Sequence, residues 1–153
     1  MYMRKKQLLT AFLFALLGFG AVSCKKKQKD PTPQEKILGK WRITAWTLRN
    51  SDSPTVFDLY AIMESCEKDD YFEYRSGGVL VQNEGATKCG PSDPQEEVGS
   101  YTLSADGRTL TMTGSGSTTT FEVLELSATT KKIRNVQVDG GITRTSELTF
   151  TKI

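Results

Sequence analysis

From Leu38 onward, apolar and polar residues alternate in short runs bounded by Gly, Asp, Asn and Ser. That is the pattern of strands with one buried face. Eight strands are predicted. The first, Trp41 to Arg49, sets Trp41, Ile43 and Ala45 against Arg42, Thr44 and Trp46. Trp46 is thus a large apolar residue on the polar face, so it is either exposed or marks a bulge. Tyr71 to Arg75 follows, with Phe72 and Tyr74 on one face, and Ser76-Gly77-Gly78 turns it into Val79 to Asn83. Val98 to Ser104 meets Thr109 to Thr113 across Ala105-Asp106-Gly107-Arg108, a strong hairpin signal. Gly114-Ser115-Gly116-Ser117 leads to Thr119 to Leu126, and Asp139-Gly140-Gly141 joins Lys132 to Val138 with Ile142 to Lys152. Two connections are long. One follows the first strand and carries a predicted short helix over Phe57 to Cys66; the other is the Gly-, Pro- and Asp-rich stretch Glu84 to Glu96.

Connections of hairpin length make each strand the partner of its sequence neighbour. Eight such strands lose their exposed edges by closing on themselves. The expected fold is therefore all-β, an eight-stranded antiparallel up-and-down barrel. An immunoglobulin-like sandwich is the competing layout, but it needs longer crossing connections than the last five strands have. A barrel of this size holds its own side chains or one small ligand.

Ahead of the strands the pattern is different. Arg4, Lys5 and Lys6 precede an almost wholly apolar run, Leu8 to Phe19, the n-region and h-region of an export signal. The run is short of the roughly 20 residues a spanning helix needs. Ala21-Val22-Ser23-Cys24 closes it and resembles the bacterial lipobox, with Ala21 where leucine is usual. The resemblance implies a diacylglycerol on the Cys24 thiol and cleavage before it. An ordinary signal peptide cut near Ala21 or Ser23 is the alternative. The expected organisation is a signal over 1–23, a lipidated flexible tether over 24–36 and a barrel domain over 37–153. Lys25 to Pro33, basic and carrying two prolines, has too little apolar content to bury a core.

Cleavage changes the charge. The precursor has 20 basic and 18 acidic side chains, and losing Arg4, Lys5 and Lys6 leaves a near-neutral domain of about 130 residues. No nucleic-acid partner follows from that balance. Histidine is absent, which excludes Ser-His-Asp and Cys-His nucleophilic systems and imidazole metal sites.

With Cys24 acylated, Cys66 and Cys89 are the remaining thiols, and an exported chain lets them persist as a disulfide. That bond ties the two long connections together at one end of the barrel. No Cys-x-x-Cys redox spacing is present. Glu64, Glu67, Asp69 and Asp70 cluster beside Cys66. Hard cations take such oxygen ligands, but no calcium-loop spacing accompanies them, and solvated loop charges are the simpler reading. Paired carboxylates also serve glycoside hydrolysis; adjacent Asp69 and Asp70 point to opposite faces when extended, which argues against it. No catalytic, metal or cofactor site is expected.

Gly39-Lys40-Trp41 heads the first strand and is similar to the Gly-x-Trp signature of lipocalins, in which the tryptophan plugs the closed end. The resemblance implies a basic side chain on that ring, and antiparallel pairing of the last strand with the first makes it Lys152. Cys66-Glu67-Lys68-Asp69-Asp70, Tyr74, Gly77, Lys88-Cys89-Gly90-Pro91 and Gly99-Ser100-Tyr101 extend the likeness. Across Ile37 to Ile153 the chain resembles the lipocalin-like domain of small Bacteroidetes lipoproteins. Ile43, Phe72, Tyr74, Tyr101 and Phe121 are then candidates for a cavity wall, with core packing as the alternative role.

The expectation is a non-enzymatic lipoprotein of the outer membrane, binding a small apolar or amphipathic molecule. In lipoproteins of this type acidic residues soon after the cysteine favour the cell surface. Here the first is Asp30, which points to the periplasmic face. The alternative is an envelope structural or protein-interaction module with a packed barrel; an envelope hydrolase using Asp69 or Glu67 is the third reading.

Overall fold

We describe residues 29–153 of a computed structural model of the chain. The signal segment, Cys24 and Lys25-Lys26-Lys27 lie outside the described residues. The barrel strands are β1 (Gly39–Asn50), β3 (Tyr71–Arg75), β4 (Val79–Asn83), β5 (Glu96–Leu103), β6 (Thr109–Gly114), β7 (Ser117–Leu126), β8 (Thr130–Asp139) and β9 (Ile142–Lys152). All neighbours are antiparallel, and β9 returns to pair with β1, closing an eight-stranded up-and-down barrel.

A ninth strand, β2 (Val56–Asp58), pairs with Thr47, Leu48 and Arg49 on the edge of β1 that β3 covers only over Gly39, Lys40 and Trp41. It occupies the start of the segment expected to be one helix. Asp58 then caps α2 (Leu59–Ile62), its carboxylate accepting from Ala61 N at 3.0 Å. The helix breaks at Met63, and Glu64 begins α3 (Ser65–Lys68). Two short caps thus replace one continuous helix.

Two bulges set which side chains face inward. In β1 the register against β9 slips between Ile43 and Ala45, so Thr44 is the extra residue. Trp41 and Ile43 face in before it, and Trp46 and Leu48 face in after it. Trp46 is half-buried, and its indole Nε1 donates to Ser146 Oγ at 2.8 Å. A second slip between Val123 and Glu125 in β7 similarly keeps both Val123 and Leu126 against the core.

One end of the barrel is plugged. Thr32 forms a capping box with Glu35 and starts α1 (Pro33–Ile37), so the expected tether is helical over its last residues. Gln34 reaches the β5–β6 turn, donating to the Ser104 carbonyl at 3.0 Å, and Ile37 is buried in the core. The core behind this plug is Trp41, Tyr74, Leu80, Tyr101, Leu110, Ile133 and Phe150. Turning to the opposite end, the Ser115–Gly116 and Gly140–Gly141 turns lie there.

Candidate functional site

The closed end brings Gly39, Trp41 and Lys152 together. Trp41 is fully buried and donates from Nε1 to the Ile37 carbonyl at 2.7 Å. Lys152, opposite Trp41 in the β1–β9 ladder, places Nζ 5.0 Å from the indole centroid and donates to the Lys36 carbonyl at 3.0 Å. Gly39 has φ +107°, and a Cβ there would meet Lys152 Cε at 3.0 Å. Only glycine leaves the strand free to turn while the lysine stem crosses above it. Desolvation lowers the Lys152 pKa.

Beneath the tryptophan lies a side chain the sequence pattern did not single out. Lys131, on β8 opposite Phe150, is wholly buried. Its Nζ lies 4.0 Å from the ring centroids of both Tyr74 and Phe150 and 5.3 Å from that of Trp41. Among the described residues its one hydrogen bond goes to Tyr74 Oη at 2.8 Å, and no carboxylate pairs with it. Burial drives the Lys131 pKa well down and that of Tyr74 up, so both neutral forms are favoured. Tyr74 Oη in turn donates to Met112 Sδ at 3.0 Å.

Met112 separates this cage from the space above. A cavity of about 250 Å³ lies between β3 and β7. Phe72, Leu80, Met112 and Phe121 form its apolar part, while Gln82 and Thr119 supply polar groups. Glu97 and Ser115 close the rim, joined by Ser115 Oγ donating to Glu97 Oε2 at 2.8 Å. A Cβ built on Gly114 would meet nothing within 4 Å, so this wall is open for lack of a side chain. Of the candidate wall residues, Phe72 and Phe121 line this space. Tyr74 and Tyr101 are instead core, packed edge to face at 4.8 Å, with Tyr101 Oη donating to the Arg75 carbonyl at 3.1 Å. Ile43 packs against the same core. The cavity stops above them because Tyr74 and Lys131 fill the lower barrel.

Cys66 and Cys89 are bonded, with Cα atoms 5.3 Å apart, tying α3 to the β4–β5 connection. Asp69 holds the same junction: its Oδ2 accepts from Ala86 N, Thr87 N and Thr87 Oγ1 at 2.9, 3.0 and 2.7 Å. These bonds, led by the Thr87 hydroxyl, lower its pKa. Asp70 behaves oppositely; burial, then the charges of Glu84, Asp69 and Glu67, push it up to about 6. Glu64 Oε2 lies 3.7 Å from Cys66 Sγ, but the disulfide leaves no thiolate to share a metal with it. Asp69 thus holds the β4–β5 connection against the end of α3, beside the disulfide.

The family profile for the lipocalin-like domain matches residues 37–131. The chain belongs to the lipocalin-like domain family. The match begins at Ile37 and ends at Lys131, so it contains the Trp41 plug, the disulfide cysteines Cys66 and Cys89 and the whole cavity wall. Among solved structures, lobster apocrustacyanin A1 is similar at 17% identity and a TM-score of 0.49, covering 77% of this chain. The chain spans 61% of the length of that crustacyanin. Bovine odorant binding protein, solved with a selenium-containing odorant, is similar at 17% identity and a TM-score of 0.44, covering 84% of this chain and 77% of its own. No functionally curated protein matches the chain in sequence.

Proposed function

We propose that this lipocalin-like barrel is a non-enzymatic binding protein of the cell envelope, holding a small apolar or amphipathic molecule between β3 and β7. The observation that carries the reading is the cavity itself. At about 250 Å³ it has room for roughly eight waters at their liquid volume of ~30 Å³ each. An apolar cavity of about 150 Å³ already takes a benzene-sized molecule. Phe72, Leu80, Met112 and Phe121 would cover the apolar body, and Gln82, Thr119 and Glu97 would meet a polar end at the rim. The occupant is therefore small, much smaller than a long-chain lipid.

The lipobox-like Ala21-Val22-Ser23-Cys24 supports an acylated Cys24 and an outer-membrane location facing the periplasm. Residues 29–32 lead into α1 at the plugged end, so the anchor would leave the barrel opposite its mouth. Cys24→Ala should leave the precursor uncleaved at that site and without acyl chains, held only by its apolar signal segment; unchanged acylation and processing would defeat the anchor. Native mass spectrometry of protein taken from envelope extract tests the ligand. A discrete small adduct, displaced by an environment-sensitive dye, is expected. A bare protein that takes up no dye would favour a packed structural module.

A further inference from the structure

The fold does not need Lys131 where it stands. Among the described residues it is the buried cationic side chain, ringed by Trp41, Tyr74 and Phe150, with no counter-charge. Methionine or leucine would fill that volume without desolvating an amine. The lysine also sits one side-chain layer below the cavity, because Met112 both lines the cavity and accepts the hydroxyl that Lys131 bonds. Met112 is unbranched with three rotatable bonds, and it is the side chain that stands between the cavity and the Tyr74 hydroxyl bonded to Nζ.

We propose that Lys131 is an imine-forming lysine, and that a small aliphatic aldehyde entering the β3–β7 cavity condenses with its Nζ. The proposal rests on the ligand-binding reading of the cavity and names the chemical class bound. A desolvated amine in an apolar pocket is the activated form of a lysine nucleophile. The pocket selects against acids: a carboxylate meeting this amine would make a buried ion pair, and both charges would have to give up their water. An aldehyde is neutral and adds no charge.

The Nζ lone pair adds to the carbonyl carbon, forming the C–N bond, while the carbonyl π pair moves to oxygen. One nitrogen proton passes to that oxygen, giving a carbinolamine. The C–O bond then breaks and oxygen leaves as water with the second nitrogen proton. The Tyr74 hydroxyl, 2.8 Å from Nζ, is the group placed to relay these protons. Aldehyde and amine become imine and water, with no change in oxidation state.

Hexanal with cyanoborohydride at pH 7 tests this on the full chain, the hydride serving only to trap the imine as a stable hexyl-lysine for peptide mapping. Fewer than about one in a thousand exposed lysines are neutral at that pH. Lys131 should therefore carry the label at least about 10-fold above any exposed lysine. Hexanol, which has no carbonyl, should compete with labelling; Lys131→Met should abolish the labelled peptide, and Tyr74→Phe should slow labelling without moving it. If hexanol binds but hexanal labels only exposed lysines, the imine is refuted and the cavity reading stands. If hexanol does not bind and Lys131 stays bare, both fall. Mapping on the unsubstituted protein decides the matter even if a variant fails to fold.

Discussion

Replacing Lys131 by methionine should make the protein more stable at neutral pH. The side chains match in length and flexibility, so the cage formed by Trp41, Tyr74 and Phe150 stays filled. Two effects compete. Three aromatic rings favour the ammonium, at about 2 kcal/mol for a well-placed desolvated contact. Against them stands the desolvation of an ammonium, several kcal/mol even after relaxation, with one hydroxyl as its partner among the described residues. Desolvation wins, and the folded-state pKa falls below its ordinary value near 10.5. Between that lowered pKa and about 10.4 the unfolded chain binds a proton that the folded chain does not, so stability rises with pH. The slope from this group is at most about 1.4 kcal/mol per pH unit and vanishes once both states are neutral. Tyr74, Tyr101 and Lys152 are the other titratable groups around the cage, and none carries a countercharge at neutral pH. Urea unfolding at pH 6, 7, 8 and 9 measures the slope. Lys131→Met should gain about 1–4 kcal/mol at pH 7 and lose the rise toward pH 9. A variant less stable than the parent at pH 7, with the parent flat across the range, would refute the reasoning and make the cage a cation site.

Other perturbations separate the remaining elements. The Cys66→Ser, Cys89→Ser double variant should lose about 3 kcal/mol in denaturant unfolding, the chain-entropy value for a bond spanning a separation of 23 residues. Asp70 has a folded pKa of about 6 against 3.8 unfolded, so the folded chain binds more protons between them and stability grows as pH falls from 6 toward 4. Asp70→Asn should raise the melting temperature at pH 8 and flatten that acidic gain; an unchanged pH profile would place the titration elsewhere. Gly39→Ala forces a Cβ into positive φ and against Lys152 Cε, and should lower stability by about 1–3 kcal/mol, measured by thermal melting. Gly114→Phe fills open cavity space, so it should fold normally and take up no dye.

The barrel was legible because its information is local. Hairpin turns such as Ala105-Asp106-Gly107-Arg108 and Asp139-Gly140-Gly141 fix neighbour pairing, and alternation fixes the faces. Trp46 showed that alternation alone was insufficient: its place on the polar face was the trace of the Thr44 bulge. Phe57 and Asp58, at the start of the predicted helix, are strand instead, because three residues carry too little pattern of their own and the strand exists only against the edge of β1. Lys131 escaped because it opens β8 beside Lys132, where two lysines look like a solvated turn. Its burial follows from β8's own alternation, which puts it on the face of Ile133, while the β7 bulge brings Leu126 inward opposite it. Phe72 and Phe121 were readable as inward aromatics, but where the core stops and the cavity starts depends on how far Tyr74 and Lys131 fill the barrel.

Carbon-13 methyl NMR of the methionines during a hexanol titration reads whether a ligand enters the barrel. Met112 Sδ lies between the cavity and the Tyr74 hydroxyl, whereas Met63 sits between α2 and α3 outside the barrel. A saturable shift at Met112 with Met63 unmoved, lost in Gly114→Phe, is the predicted result. A Met112 signal that stays fixed, or that drifts in step with Met63, would contradict a ligand-holding barrel.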